Sequence, residues 1–202
     1  MTATDDLHLQ PLVAAELAAL ADRLASLPDD RWETPSLCAG WRVREVVAHM
    51  TMAARYDAEA FGAEMAAAGF NFGVLSDRIA ERDGALAPAR LLTDLRSETM
   101  QRWAPPVGGF AGALSHAVIH GVDVTVPLGL ARAASDEALR LVLDGLTAGA
   151  PSNHFGVVVE GLALRASDLG WSSGQGRTVE TPAHELVALL AGRTVAGASL
   201  AS

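Results

Sequence analysis

The sequence predicts a mainly α protein, a four-helix bundle followed by a small α/β unit, and three observations carry that prediction. Half of the 202 residues are apolar and only 5% are aromatic. Alanine makes up much of the excess, which suits closely packed helices better than a β-sandwich. Apolar residues recur at helical spacing through most of the first two thirds of the chain. Beyond Leu130 to Ser135 the texture changes to short runs separated by glycine-rich turns.

Each element follows from its local pattern. From Leu9 to Leu27, Val13, Leu17, Leu20, Leu24 and Leu27 form one apolar stripe, the first helix. PDDRWETPSLCAGW interrupts it with two prolines and a glycine, and RVREVVAHMTMAARYDAEAFGAEMAAA resumes as a second, long helix that carries His49. GFNFGVLSDRIAERDGALAP reads as a connection with one short helix at most. PARLLTDLRSETMQRW is a third helix with proline near its start, stopped by Pro105 and Pro106. The fourth runs from about Gly109 to Thr125 and ends before Pro127 and Gly129. SDEALRLVLDGLTAG then reads as a fifth helix, GVVVEGLALRAS as a strand, WSSGQGRTVETP as a turn and second strand, and AHELVALLAGR as a closing helix. The expected division is a helical bundle over 1–132 and a small α/β domain over 133–202.

Charge narrows the function. A formal net charge of -9 and a pI near 5.0 argue against a nucleic-acid surface or an anionic membrane as partner, because both require concentrated positive charge. A small-molecule or protein partner is expected. MTATDDLHLQ lacks the basic start and apolar stretch of a signal peptide, and no run of about 20 apolar residues offers a membrane span. With one cysteine, Cys38, and hence no internal disulfide, a reducing cytoplasmic location is expected.

HAVIH in the fourth helix is the feature that points to chemistry. At 3.6 residues per turn, His116 and His120 stand one above the other on one face and can share a metal ion. His49 is the best third donor, since it lies in a long helix beside Val46, Val47 and Met50. Three ligands from two neighbouring bundle helices would leave the fourth position of a tetrahedral ion open. Asp123, seven residues after His116, and Glu45, one turn before His49, are the acids placed to orient the imidazoles. The bland alternative remains for each: histidines as hydrogen-bonded core residues, Glu45 as a partner of Arg42 or Arg44. Cys38 reads as packing, and Trp41 and Trp171 as anchors of their turns.

Three segments together resemble the mycothiol-dependent maleylpyruvate isomerase family. They are SLCAGWRVREVVAHM, HAVIHGVDVTVPLG and LALRASDLGWSSGQGRTVETPAHELVALLAGR, and they cover the two metal-binding signatures and the small C-terminal domain. The resemblance implies a DinB-like four-helix bundle with a divalent metal, most often zinc, held by His49, His116 and His120. It also implies a low-molecular-weight thiol, mycothiol, as cosubstrate. Here histidine stands at the first position of the second signature, where the isomerases often have glutamate, and Arg42 replaces a small hydroxyl residue before the helix. Three neutral imidazoles would leave the ion its full charge, so the substrate of the isomerases is not carried over.

The function expected on these grounds is a zinc-dependent isomerase or S-transferase in which a metal-activated thiolate attacks an electrophilic small molecule. Arg193 in the terminal LLAGR is the arginine expected to serve catalysis by meeting acidic groups of the substrate, with Arg177 the second choice. The alternative is a non-catalytic bundle that binds a metal or ligand without turning it over.

Overall fold

The computed structural model describes residues 6–149 and 151–200; the opening residues read above for the lack of a leader partly fall outside them. Nine α-helices and three strands are present among the described residues. Helix α1, Gln10–Leu24, buries Val13, Leu17, Leu20 and Leu24, the stripe expected from the spacing. Helix α2, Val43–Met50, carries His49. Helices α3, Ala58–Ala67, and α4, Phe72–Gly84, follow. Then come α5, Pro88–Leu95, α6, Glu98–Arg102, and α7, Gly109–Thr125.

Four layers close into a ring. Helix α1 packs on α7 and on α5 with α6, and α2 packs on α7 and α5, so the bundle has α1, α2, α5/α6 and α7 at its corners. Helix α4 lies outside, against α2. The expectation that the two histidine-bearing helices are neighbours is met.

The middle of the chain corrects three expectations. The long second helix is two, because α2 stops at Met50 and α3 begins only after Asp57, whose carboxylate accepts the Ala60 N–H at 2.9 Å. Arg55 braces the break: its guanidinium donates to the Ala48 carbonyl at 2.5 Å and to the Thr51 hydroxyl at 2.8 Å, satisfying a carbonyl and a hydroxyl at the helix end. What reads as a connection is the full helix α4, capped by Asn71, whose side chain accepts the Val74 N–H at 3.2 Å. The third helix divides at Ser97, which caps α6 by accepting the Met100 N–H at 3.2 Å.

Helix α7 keeps the expected bounds, and its start is built by a distant acid. Asp6 accepts the Ala111 N–H at 2.7 Å, a cap supplied from 105 positions earlier in the chain. A side chain at Gly109 would put its Cβ 2.8 Å from that carboxylate, so the cap requires glycine there.

The C-terminal part comprises α8, Asp136–Thr147, strands β1, Leu162–Ala166, β2, Trp171–Gly174, and β3, Arg177–Thr181, and α9, Ala183–Leu190. One strand more is present than the pattern shows, since WSSGQGRTVETP contains both β2 and β3. The sheet order is β2-β1-β3, with β1 antiparallel to β2 and parallel to β3. Two residues, Gln175 and Gly176, carry the chain around the end of β1. Gly176 has φ 123°, and a Cβ there would lie 2.1 Å from the Gly161 carbonyl oxygen, which only glycine tolerates. Helices α8 and α9 pack on each other and on α7, so one apolar core runs from α1 to α9 across residue 132.

Glu16 braces this junction from α1. It is 5% exposed, and its carboxylate accepts the Ser135 hydroxyl at 2.6 Å, while Ser135 in turn caps α8 by accepting the Ala138 N–H. Burial pushes its carboxyl above the usual glutamate value and Glu137 adds to this, against the Ser135 bonds and the Arg132 charge. The folded chain therefore holds the Glu16 proton more tightly than the unfolded chain. That contribution is full below the ordinary glutamate range and is lost as pH rises through the raised value. Glu16→Gln keeps an acceptor for Ser135 and never ionises, so its melting temperature relative to the native chain should be more favourable at pH 7 than at pH 4. Thermal melts at the two pH values check this, and an unchanged or reversed difference refutes it.

Candidate metal centre

The site forms where α2 and α7 face each other. His116, His120 and Asp123 lie on one face of α7, while Phe110, Leu114, Val118 and Val122 fill the core on the other. His49 enters from α2. The Nε2 atoms of His49 and His116 are 3.2 Å apart, and the ring centroids of the three histidines lie 4.7 to 5.2 Å from one another. One nitrogen from each ring falls within 4.8 Å of the others.

The donor set fits a metal. Two imidazole nitrogens bound to one tetrahedral zinc at about 2.05 Å would be roughly 3.3 Å apart, close to the 3.2 Å between His49 and His116. Burial holds the His49 ring well below the ordinary histidine value, and the His120 and His116 rings push it the same way. His116 is pushed down to about 3, by burial first and then by His120. Both rings are thus neutral at pH 7 with a lone pair to offer. The proton of His120 has its own acceptor: Nδ1 lies 2.9 Å from Asp123 Oδ2, which leaves Nε2 free for an ion.

Asp123 is the hub behind the histidines. It is completely buried. Besides His120, its carboxylate accepts Arg193 Nε at 2.9 Å, Arg193 Nη2 at 3.0 Å and the Cys38 thiol at 3.0 Å. Burial opposes its ionisation, but the bonds from His120 and Arg193 outweigh burial and hold the carboxyl at about 2. Arg193, which follows α9, reaches the bundle as the sequence suggests, yet its guanidinium is occupied by Asp123, Cys38 and the Ala191 carbonyl. Arg177 is elsewhere, donating to the Leu200 carbonyl.

Glu45 departs from its expected place. Its carboxylate accepts the backbone N–H and the guanidinium of Arg42, forming a cap for α2 that an arginine at that position cannot supply alone. Nδ1 of His49 is buried and has no hydrogen-bond partner, so Glu45 does not orient this ring. Arg42, three residues earlier, takes the carboxylate instead.

A loop before α2 delivers two further groups. The Leu37 N–H donates to the Asp123 carbonyl at 3.0 Å, and Ser36 and Trp41 close the loop by a 2.9 Å backbone bond. This sets Cys38 on Asp123 and the Trp41 ring 5.0 Å from His49. Phe72 stands 6.4 Å from His49 and Trp103 5.8 Å from His116. Neither was marked by the sequence, where one lies in an apparent connection and the other at a helix end. Trp171 anchors its turn as expected, donating to Asp144 at 2.8 Å.

The family model described as Mycothiol maleylpyruvate isomerase N-terminal domain matches residues 13–125. Two Mycobacterium tuberculosis proteins, Uncharacterized protein MT0041 and Uncharacterized protein Rv0036c, are each 29% identical over 149 residues, 60% of this chain. The match spans 58% of the length of these curated relatives. Among solved structures, the mycothiol-dependent maleylpyruvate isomerase is 17% identical, with a TM-score of 0.46, covering 98% of this chain and 92% of that one. A histidine-to-alanine mutant of that enzyme is 16% identical, with a TM-score of 0.45 and coverage of 96% and 90%. No helix among the described residues is long and apolar enough to cross a membrane.

Cys38 is a supporting group in this geometry. It is 8% exposed and lies between Asp123 and Arg193. Burial pushes its thiol up, and the charge of Asp123 adds to that push. Iodoacetamide should therefore alkylate Cys38 in the folded chain at least about tenfold more slowly than in the urea-unfolded chain. Equal rates, followed by mass spectrometry, would show that the thiol is open to reagents.

Proposed function

The chain belongs to the mycothiol maleylpyruvate isomerase N-terminal domain family, and from that premise we propose that it is a metal-dependent isomerase or S-transferase that uses a low-molecular-weight thiol. The observation that carries the reading is the convergence of His49, His116 and His120, with one ring nitrogen of each within 4.8 Å of the others. Zinc is the preferred ion and mycothiol the preferred thiol.

A divalent ion there would lower the pKa of a coordinated thiol and polarise an electrophile. The chain's own residues do the rest. His49, His116 and His120 would hold the ion. Asp123 keeps the proton of His120 on Nδ1 and fixes the ring's direction. Arg193 is a positioning residue in this scheme: its two bonds to Asp123 balance the buried charge and keep the carboxylate aligned with His120. The rings of Trp41 and Trp103 lie against His49 and His116.

A second reading rests on one observation. Cys38, His120 and Asp123 also offer ligand atoms within 4.8 Å of one another, a set that could close the coordination of an ion and give it a structural role.

Elemental analysis after zinc loading and washing tests both. About one zinc per chain is expected, lost in the His49→Ala, His116→Ala, His120→Ala variant. Asp123→Asn should weaken zinc binding about 10- to 100-fold, the usual cost of losing an orienting partner. Cobalt substitution separates catalytic from structural: a spectrum that shifts when a small thiol is added marks an open position, and an unresponsive one marks a closed site. Absence of metal from the native chain sinks the proposed chemistry.

A further inference from the structure

The aromatic rings around the histidines come from three different elements: Trp41 from the loop before α2, Phe72 from the first turn of α4, and Trp103 from the residue that ends α6. Phe72 is the unusual one. It is 53% exposed beside a histidine that is 6% exposed, although α4 buries Leu75 and Ile79 only one and two turns later. Such a ring gains little for the fold by standing in water. Trp41 is held in place by donating its indole N–H to Asp77 on α4 at 3.0 Å, which also puts a carboxylate at this rim.

Cations at the site are committed elsewhere. The chain contains no lysine, so all fifteen basic residues are arginines. Among the described residues, Arg193 is the guanidinium that touches the residues behind the histidines, and Asp123 and Cys38 take it up. Of the three arginines nearest to His49 in sequence, Arg44 and Arg42 pair with Glu33, Arg42 also with Glu45, and Arg55 with Asp83 and Asp94. Arg102, beside Trp103, pairs with Glu98 at 3.4 Å. A substrate carboxylate is best held by a bidentate arginine, and the rim presents rings and an acid instead.

We propose that the electrophile taken by this centre is an uncharged, flat, conjugated molecule such as an aryl enone, seated against Trp41, Phe72 and Trp103, and that these rings set its specificity. The inference rests on the thiol-using reading above. In the reaction it implies, the sulfur of the thiol adds to the β-carbon of the enone. One C–S bond forms as the C=C π bond and the S–H bond break, and the thiol's proton ends on the α-carbon. No other reactant is consumed.

A matched pair of probes tests the rim itself. Benzylideneacetone is the neutral enone, and cinnamate has the same ring and double bond with a carboxylate in place of the acetyl group. Isothermal titration calorimetry on the metal-free protein reads binding by the chain's own residues, and a repeat on zinc-loaded protein follows. Benzylideneacetone should bind the metal-free protein more tightly than cinnamate. Phe72→Ala, an exposed position that does not disturb the core, should weaken it about two- to tenfold, the range for an aromatic pair, with zinc content unchanged. Trp103→Ala should act in the same direction.

Cinnamate binding as tightly as the enone, or an enone affinity that Phe72→Ala leaves unchanged, overturns the inference even if zinc loads and a thiol is consumed. Ring-dependent enone binding in a protein that fails to retain zinc supports the rim and defeats the thiol chemistry alone.

Discussion

A carboxylate with no exposed surface, that of Asp123, is the constraint on which the site depends. Removing a charge from water costs several kcal/mol after relaxation, and the cost is tolerated only where close partners replace the lost hydration. Here the replacements come from three separate places. His120 is on the same helix, Cys38 is on the loop before α2, and Arg193 is on the segment after α9. The ionised acid therefore holds only when the loop and the C-terminal part are both docked. This couples the last turn of the fold to the direction of a histidine ring in the bundle.

A second buried charge cluster does the equivalent for His49. Arg55, 9% exposed in its side chain, pairs with Asp83 at 2.9 Å and Asp94 at 2.8 Å, both at least as hidden. It links α4 and α5 while its other bonds reach the end of α2. Because α2 has only eight residues, its stability must come from packing and from such ties rather than from its own hydrogen bonds. Both histidine-bearing helices are thus tied by buried acid–arginine pairs to elements that do not themselves offer ligands, α7 to the segment after α9 and the end of α2 to α4 and α5.

How much of this was legible follows from where each signal resides. Helix α7 was readable because its apolar face, its histidine pair and its terminating Pro127 and Gly129 are all local. The same locality exposed His116, His120 and Asp123 as one stripe, and left His49 as the remaining histidine on a core helix. The split between α2 and α3 was not readable, since no proline or glycine marks it and Arg55, which binds the end of α2, is held by acids on other helices that local spacing does not show. Helix α4 was hidden by Phe72 and Val74, exposed residues whose apolar character blurs the amphipathic pattern. Cys38 joined the site through a loop-to-helix contact across 85 positions, which periodicity cannot show. Glu45 misled because a carboxylate one turn from a histidine has the same spacing whether it serves the ring or an arginine at the helix start.

Charge accounting connects the donor set to the rim. His49 and His116 are neutral at pH 7 because burial disfavours their cationic forms, and the Asp123 charge is balanced by Arg193. The cluster thus carries no net negative charge with which to offset a divalent cation, unlike a set containing a glutamate. A bound ion would retain most of its charge and demand an anion from solution, and a thiol that ionises meets that demand with a single atom. Once sulfur supplies the negative charge, an acceptor that brought another would compete for the same ion instead of approaching the sulfur. A neutral acceptor avoids this competition and gains from contact with Trp41, Phe72 and Trp103. The all-histidine donor set and the aromatic rim therefore favour the same division of labour, with charge brought by the thiol and shape brought by the electrophile.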